Sequence, residues 1–198
     1  MPVPTETTLV VGRRILVIGA PGSGKSTLSR TLGEGLGLRV IHFDQLYWTP
    51  GWTARRSEDM GPIVAGVVAG DDWIFDGNNS RTLPLRAARA DTLIWLDLPR
   101  SLCFTRVLRR TAASYGRVRP DMAAGCPERF DLTFLRWAWT FPHHSRPAQA
   151  DFFATSLIPF KHRLRRPSEV RALLSSVERA SPLRFAEERI GEAPTERP

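Results

Sequence analysis

The 198-residue chain has few cysteines, few lysines and no long apolar run. These shortages argue against a disulfide-rich protein, a zinc protein and a membrane-spanning protein. Its two cysteines, Cys103 and Cys126, stand far apart and outside any metal-ligand spacing, so we expect buried packing rather than a disulfide or a zinc site. No apolar stretch is long enough to span a bilayer, and the N-terminus lacks a signal-peptide pattern, which predicts a cytoplasmic protein without a membrane partner. Lys25 and Lys161 are the only lysines, so arginine carries nearly all of the positive charge behind the net charge of +8. That charge suits a polyanionic partner: a nucleotide, a phosphorylated metabolite or nucleic acid.

The segment GAPGSGKST, residues 19–27, has the pattern of a phosphate-binding loop. It follows the apolar run RILVIG and precedes a helical pattern, which is the order of strand, Gly-rich turn and helix that such a loop requires. Lys25 is predicted to reach the β- and γ-phosphates of a nucleotide as a catalytic residue, and the hydroxyl of Ser26 to bind Mg²⁺. A turn that merely joins strand to helix is the alternative. The predicted nucleotide-binding residues are Gly19, Ala20, Pro21, Gly22, Ser23, Gly24, Lys25, Ser26 and Thr27.

Strand and helix patterns alternate along the rest of the chain. After the first strand, LRVIHFD predicts a second strand closing on Asp44, DDWIFDG a third and ADTLIWLDLP a fourth, with LIPFKHRL as a weak fifth. This alternation predicts an α/β protein: a three-layer α/β/α fold with a mainly parallel five-stranded sheet and a helical lid. The predicted organisation is an N-terminal extension at 1–12, one domain at 13–179 with its lid at about 114–142, and a disordered tail at 180–198.

Asp44, Asp76 and Asp97 each fall at the predicted end of a strand, where a parallel sheet binds its ligand. We expect Asp76 to organise Mg²⁺ through water and Asp44 to take a proton from an attacking hydroxyl. A helix cap or a turn is the alternative for each, and Pro99 favours it for Asp97. Arg106 and Arg110, four residues apart on one helix face, are predicted to neutralise transition-state charge, with an exposed basic face as their alternative.

Several of these segments together resemble known proteins. The adenylate kinase-like nucleoside monophosphate kinases are resembled in three places: GAPGSGKSTLSRTLG, the DG that follows a strand, and LIWLDLP followed by two arginines. The chain also resembles the bacterial family known as DNA topology modulation proteins, in the segments VIHFDQLYWTPGW, DGNNSRTLPLRAARAD and GCPERFDLTFLRWAW. The resemblance implies a five-stranded P-loop kinase core that uses ATP and Mg²⁺, and the family name suggests an effect on DNA that the fold does not explain.

The segment around Asp44 is where we expect the phosphate acceptor to bind. FDQLYW resembles a stretch that P-loop nucleoside kinases carry after their second strand, which implies acceptor binding by Asp44, Tyr47 and Trp48. The arginine of DGNNSR falls one place later than in adenylate kinases, at Arg81, so we expect it to bind a different acceptor.

Phosphoryl transfer from ATP to a small-molecule acceptor, such as a nucleoside or nucleotide, is therefore the predicted function, with a nucleoside triphosphate and that acceptor as partners. A nucleic-acid-associated P-loop ATPase or DNA-topology-modulating protein is the less favoured alternative. It rests on the charge and on tryptophans that can stack on bases or pack in a core. A nucleotide sensor without turnover also fits the sequence, and the sequence predicts no particular oligomeric state.

Overall fold

The computed structural model describes residues 10–190, with the backbone alone for residues 180–190. Its strands, in chain order, are β1 (Arg14–Gly19), β2 (Val40–His42), β3 (Trp48–Thr49), β4 (Thr53–Ala54), β5 (Trp73–Asp76), β6 (Thr92–Leu96) and β7 (Phe160–Leu164). Its helices are α1 (Lys25–Leu36), α2 (Phe43–Tyr47), α3 (Ser57–Val68), α4 (Leu83–Ala87), α5 (Arg100–Ala113), α6 (Leu132–His144), α7 (Arg146–Thr155) and α8 (Pro167–Ile190).

Five strands form one parallel sheet in the order β2-β5-β1-β6-β7, which confirms the predicted α/β fold class. β1 lies at the centre because its residues are apolar on both faces, and Ile15, Leu16, Val17 and Ile18 are all buried. A separate two-stranded sheet, the β3–β4 hairpin, follows α2.

Helices cover both faces of the sheet. On one face Leu28 and Leu32 of α1 and Leu173 of α8 pack with Ile15 and Val17 in a single apolar cluster. The opposite face is divided between two clusters. Met60, Val64 and Val68 of α3 pack with residues of β2 and β5 in one of them, and side chains of α4 and α7 cover Leu16, Ile18 and Trp95 in the other. These three layers bring the carboxyl ends of β2, β5, β1 and β6 to one edge, where β1 continues into the phosphate-binding loop.

Two predicted boundaries are wrong. β2 ends at His42 rather than at Asp44, because Phe43 begins the short helix α2, whose first turn holds the Asp44 carboxylate, a favourable place for a negative charge. The last helix continues to Ile190 instead of ending near Arg179, since alanine, leucine, arginine and glutamate, all good helix formers, extend the sequence. The predicted disordered tail therefore overlaps this helix at 180–190, and its remainder, 191–198, lies outside the described residues.

The predicted N-terminal extension is described only at residues 10–12, where the chain contacts the sheet. The amide of Gly12 donates a hydrogen bond to the Thr92 hydroxyl at 2.8 Å, and the carbonyl of Val10 lies 2.7 Å from Nε2 of His162. Residues 1–9 lie outside the described part of the chain. No helix within residues 10–190 combines the length and apolar character that a membrane span requires.

Candidate active site

The loop of residues 19–27 curls between β1 and α1 at the carboxyl edge of the sheet. Gly22 and Gly24 have φ angles of 75° and 95°, values that L-residues with a side chain rarely adopt. A Cβ atom on Gly22 would lie 2.1 Å from the carbonyl oxygen of Cys103 in α5, so the loop also needs glycine for close packing. Helix α1 begins at Lys25 directly after this turn, and its unpaired N–H groups and positive dipole end therefore belong to the loop. The predicted phosphate cradle has the geometry that anion binding requires.

Lys25 bends back over this loop. Its Nζ donates hydrogen bonds to the carbonyl oxygens of Gly19, at 2.9 Å, and Ala20, at 3.1 Å. Burial lowers the pKa of Lys25, while the carboxylates of Asp76 and Asp44 oppose that shift. The ammonium therefore lies among the loop and the two strand-end carboxylates, and it is half-buried rather than solvated.

Asp44 and Asp76 lie on the same side of the loop but in different surroundings. The side chain of Asp44 is exposed to solvent, yet the protein around it removes enough solvation to raise its pKa, against the effect of Lys25. Asp76 is buried, and its Oδ2 lies 2.7 Å from Nδ1 of His42, its partner in the pairing of β2 and β5. The structure thus brings both predicted carboxylates close to Lys25, as the strand order requires.

Asp97, which follows β6, forms structural ion pairs rather than a part of the site. Its Oδ1 accepts a hydrogen bond from Nε of Arg146 at 2.7 Å, and its Oδ2 accepts one from Nη2 of Arg163 at 2.7 Å. These contacts join β6 to α7 and β7. Although burial opposes the shift, the two guanidinium groups lower the pKa of Asp97. The side chain is an anchor rather than the helix cap that its sequence favoured, and α5 begins at Arg100 instead.

The two predicted arginines of α5 both point toward the loop region. Nη1 of Arg106 donates to the carbonyl oxygen of Ser23 at 3.3 Å. Arg110 lies deeper, where burial and the neighbouring charge of Arg119 lower its pKa, and its Nε is 3.8 Å from Oε2 of Glu128. Both guanidinium groups are half-buried, so neither belongs to the exposed basic face that was the alternative reading.

Glu128 organises the segment that joins α5 to α6, residues 115–131, which we call the 115–131 loop. Its carboxylate is 5% exposed, accepts a hydrogen bond from the Thr111 hydroxyl at 3.0 Å and lies 2.6 Å from Nε of Arg119. Arg119 in turn donates to Asp121 at 2.8 Å. Burial raises the pKa of Asp121, but Arg119 and a hydrogen bond with Ser26 outweigh it and leave that pKa lowered. A chain of charges therefore connects α5, through the 115–131 loop, to the phosphate-binding loop.

The 115–131 loop also packs against the β3–β4 hairpin. The amide of Gly51 donates to the carbonyl of Gly125 at 2.9 Å, and the indole N–H of Trp52 donates to the carbonyl of Pro127 at 3.0 Å. A small apolar cluster formed by Met122, Ala123 and Cys126, with Trp48 and Trp52 against it, fills the contact. This segment is the first part of the predicted lid. It lies beside Asp44, because the neighbouring Gln45 donates from Nε2 to the carbonyl of Pro120 at 2.7 Å.

The predicted acceptor residues are placed differently from one another. Trp48 lines an open cavity of about 360 Å³ between the hairpin and the 115–131 loop, and Asp44 is not part of that lining. Tyr47 packs its ring on Phe43, with 5.5 Å between ring centroids, and on Trp48, with 4.9 Å. Arg81 is exposed, and its guanidinium forms no hydrogen bond or ion pair with the side chains described at residues 10–179 or with the described backbone.

The tryptophans that motivated a nucleic-acid function make ring contacts inside the protein. Trp48 and Trp52 pack edge to face, with 5.5 Å between centroids, and Trp137 contacts Phe141 at 5.3 Å. Trp139 lies under the guanidinium of Arg100 at 4.1 Å. These contacts match the packing that the sequence left as the alternative, and Trp137 and Trp139 are partly exposed as well.

Six residues at this site were not predicted: His42, Asn78, Arg86, Arg119, Asp121 and Glu128. Asn78 accepts from the amide of Gly19 at 3.0 Å and donates to its carbonyl at 2.6 Å, so it braces the start of the phosphate-binding loop. Arg86 is fully buried and donates to the carbonyls of the segment that holds Asn78. His42, a polar residue inside an apolar strand, and Glu128, inside the CPERF block, were visible as irregularities, but Asn78 and Arg86 had no local signal.

Two oxygen donors at this edge of the sheet, on Ser26 and Asp76, have the chemistry that Mg²⁺ prefers. Within the described residues no three His, Cys, Asp or Glu side chains are grouped so that they could hold a metal ion by themselves. The hydroxyl of Ser26 and the carboxylate of Asp76 are hard oxygen donors, and Mg²⁺ in nucleotide sites takes few protein ligands because water and phosphate oxygens supply the rest. The residues present therefore fit a magnesium ion that arrives with a nucleotide.

Two known proteins are similar in sequence to parts of the chain. No known family profile matches the chain. The uncharacterized protein YqaC of Bacillus subtilis (strain 168) is 26% identical over 128 residues, which are 64% of this chain and 71% of YqaC. Threonine synthase-like 1 of Mus musculus is 38% identical over 56 residues, which are 28% of this chain and 8% of that protein.

Two solved structures are similar over most of the chain. A shikimate kinase from Acinetobacter baumannii, in complex with shikimate, is 14% identical with a TM-score of 0.52, covering 93% of this chain and 98% of that one. The fold is that of a P-loop kinase. A gluconokinase from Sinorhizobium meliloti 1021 is 17% identical, with a TM-score of 0.45 and coverage of 87% and 95%. The resemblance to DNA topology modulation proteins stays a prediction.

Proposed function

We propose that this protein is a P-loop kinase that transfers the γ-phosphoryl group of ATP, with Mg²⁺, to a hydroxyl group of a small molecule. One observation carries the proposal: the loop of residues 19–27 and the carboxylate of Asp44 lie at the same edge of the sheet, with Lys25 interacting with that carboxylate. A phosphate cradle and a proton acceptor at one edge of the sheet are the two parts that phosphoryl transfer to a hydroxyl requires.

Positive groups surround the place where the phosphates would lie. Lys25 lies over the loop, Arg106 contacts the loop carbonyl of Ser23, and Arg110 lies close enough to affect the pKa of Lys25. In the proposed complex Lys25 would leave its carbonyl partners for the β- and γ-phosphates, while Arg106 and Arg110 neutralise charge that develops on the transferred group. The Ser26 hydroxyl and, through water, the carboxylate of Asp76 would hold a Mg²⁺ ion, which would supply positive charge to the phosphates.

Asp44 is the proposed general base. The acceptor oxygen attacks the γ-phosphorus, the bond from that phosphorus to the bridging oxygen of ADP breaks, and the hydroxyl proton passes to the Asp44 carboxylate. Burial raises the pKa of Asp44, which brings its basicity closer to what proton transfer at neutral pH needs.

The charges around Asp44 are mixed. Lys25 and Arg119 lower its pKa, whereas Asp76 and Asp121 raise it. Arg119 also donates to Asp121 at 2.8 Å, so the preference for a hydroxyl acceptor rests on the carboxylate of Asp44 itself. In the proposed complex Trp48 and the side of Tyr47 would contact the acceptor, and Arg81, at the surface, would reach a more distant polar group of it.

The test is to incubate the purified protein with Mg-ATP and a panel of nucleosides, nucleotides, sugars and double-stranded DNA, and to follow ADP formation. With the acceptor that responds best, Asp44→Asn should lower kcat by about two to four powers of ten, because positioned general bases contribute roughly that much. Its ATP affinity should stay near that of the wild type.

Asp59→Asn is the matched control, since Asp59 is an exposed carboxylate in the first turn of α3. A loss of less than tenfold in Asp44→Asn would exclude the base role, and a nucleoside monophosphate as the best acceptor would overturn the preference for a hydroxyl. ADP formation driven by DNA alone would favour the nucleic-acid-associated alternative.

A further inference from the structure

His42 and Asp76 form a buried polar pair at the carboxyl edge of the sheet. They face each other across neighbouring parallel strands, in the register that pairs His42 with Asp76. Nδ1 of the imidazole lies 2.7 Å from Oδ2 of the carboxylate, and the two residues are 6% and 4% exposed. A hydrogen bond this short between side chains this buried holds both groups in one orientation.

The direction of this hydrogen bond follows from the chemistry of its partners. A carboxylate accepts only, so the imidazole must donate from Nδ1, and in a neutral ring this assigns the proton to Nδ1 rather than Nε2. The contact therefore occupies Oδ2 of Asp76 and fixes the plane of its carboxylate. The position of Oδ1 then follows from that plane.

The oriented carboxylate acts on the catalytic end of the molecule. Its charge raises the pKa of Lys25 and of Asp44, which places it within electrostatic range of both. The residue after it, Gly77, has φ 132° and donates its amide to the carbonyl of Val17 in β1, so the backbone here is also fixed against the strand that feeds the phosphate-binding loop.

We infer that His42 is a positioning residue: its Nδ1–H holds Oδ2 of Asp76 so that Oδ1 meets the water shell of a nucleotide-bound Mg²⁺ in a fixed orientation. This inference rests on the proposed function, because it assumes that a magnesium nucleotide binds at residues 19–27. Side chains that orient a metal partner through one hydrogen bond typically contribute about 10- to 100-fold to metal affinity.

Two variants separate this role from simple packing. His42→Asn retains a side-chain N–H near the place of Nδ1–H, whereas His42→Leu keeps an apolar body of similar size and offers no donor. Binding of the β,γ-imido analogue of ATP is measured by calorimetry with Mg²⁺ and again with EDTA. The ratio of the two affinities reports what Mg²⁺ adds, and no acceptor is needed.

We expect the Mg²⁺ enhancement to fall at least about tenfold in His42→Leu and to be kept within about threefold in His42→Asn, with the affinity in EDTA unchanged in both. Nitrogen NMR of the wild-type protein without ligands should show the His42 ring protonated at Nδ1. An unchanged enhancement in His42→Leu, a His42→Asn variant that behaves like His42→Leu, or a ring protonated only at Nε2 would each overturn the inference.

Failure of the inference and failure of the proposed function give different results. If the wild-type protein binds the analogue with a Mg²⁺ enhancement that His42→Leu retains, the inference is wrong and the proposed function stands. If the wild-type protein binds no analogue, or if Lys25→Ala binds it equally well, both are wrong. A loss of affinity in EDTA that accompanies a lower unfolding temperature in His42→Leu would assign the residue to packing alone.

Discussion

Replacing Arg86 by methionine should destabilise the protein and loosen the phosphate-binding loop together. Its fully buried guanidinium donates to the carbonyl of Gly77 at 2.8 Å and to that of Asn79 at 2.6 Å, with its centre 5.0 Å from the ring of Phe75. Between those two carbonyls stands Asn78, which forms two hydrogen bonds with Gly19. Methionine fills much of the same space but donates nothing, so both carbonyls would lose a partner.

The expected cost of Arg86→Met is the difference of opposing contributions. Each orphaned buried carbonyl costs about 1–3 kcal/mol, and loss of the cation–π contact adds about 1–2 kcal/mol. Methionine also removes a buried charge: burial lowers the pKa of Arg86 to about 10, well below its ordinary value, a shift worth about 3 kcal/mol. We therefore expect a net loss of about 2 kcal/mol in the free energy of unfolding, equivalent to roughly 4–8 °C in Tm for a domain of this size.

Urea denaturation followed by tryptophan fluorescence measures this loss, and calorimetry measures the affinity for the ATP analogue in parallel. Arg86→Lys should be no more stable than Arg86→Met, because a lysine keeps the buried charge but lacks the planar fork that reaches two carbonyls at once. Arg81→Met is the matched control and should leave the free energy of unfolding unchanged, since Arg81 is exposed. A loss below about 0.5 kcal/mol in Arg86→Met, or a full rescue by Arg86→Lys, would refute the reasoning.

Four further predictions concern the site itself. Lys25→Ala should abolish turnover and weaken Mg-ATP binding at an unchanged unfolding midpoint, and wild-type affinity with wild-type turnover would contradict it. Because burial raises the pKa of Asp44, kcat/KM should fall with decreasing pH already above the usual carboxyl range near ~4; a profile flat down to that range would argue against an Asp44 base. Arg106→Ala and Arg110→Ala should lower kcat more than nucleotide affinity, whereas a pure affinity loss would assign them to ground-state binding. Glu128→Gln breaks the 2.6 Å ion pair with Arg119 and should speed proteolysis within the predicted lid, about 114–142, at least roughly tenfold, with partial protection by the ATP analogue. Equal cleavage of variant and wild type would show that Glu128 does not hold this segment in place.

The features that sequence predicted well depend on neighbours along the chain. Strand β1, the Gly-rich turn and helix α1 were predictable because their pattern is continuous, and each glycine has a local reason to be there. The five-stranded sheet followed from the alternation of strands and helices, since parallel strands need crossover helices. Asp44 and Asp76 could be placed near the loop for the same reason, although β2 ends before Asp44.

The features that sequence missed depend on contacts between distant segments. Nothing near Arg86 shows that it, rather than Arg81, is buried; the difference arises because one side of α4 packs on Phe75 and Phe43. The pairing of His42 with Asp76 depends on the register between β2 and β5, which the sequence of neither strand states. The CPERF block marks Glu128 as unusual, but its hydrogen bond with Thr111 exists only because α5 and the 115–131 loop lie together.

The contact between the 115–131 loop and the β3–β4 hairpin has a consequence for changing what this protein acts upon. The hairpin forms three hydrogen bonds with the segment 125–127, through Thr49, Gly51 and Trp52, and most of the groups involved belong to the backbone. The hairpin and the 115–131 loop therefore constrain each other, and a substitution in one shifts the other. Libraries that diversify Trp48 alone should yield mostly inactive clones, while those that vary the hairpin and residues 120–127 jointly should contain the variants with new acceptors.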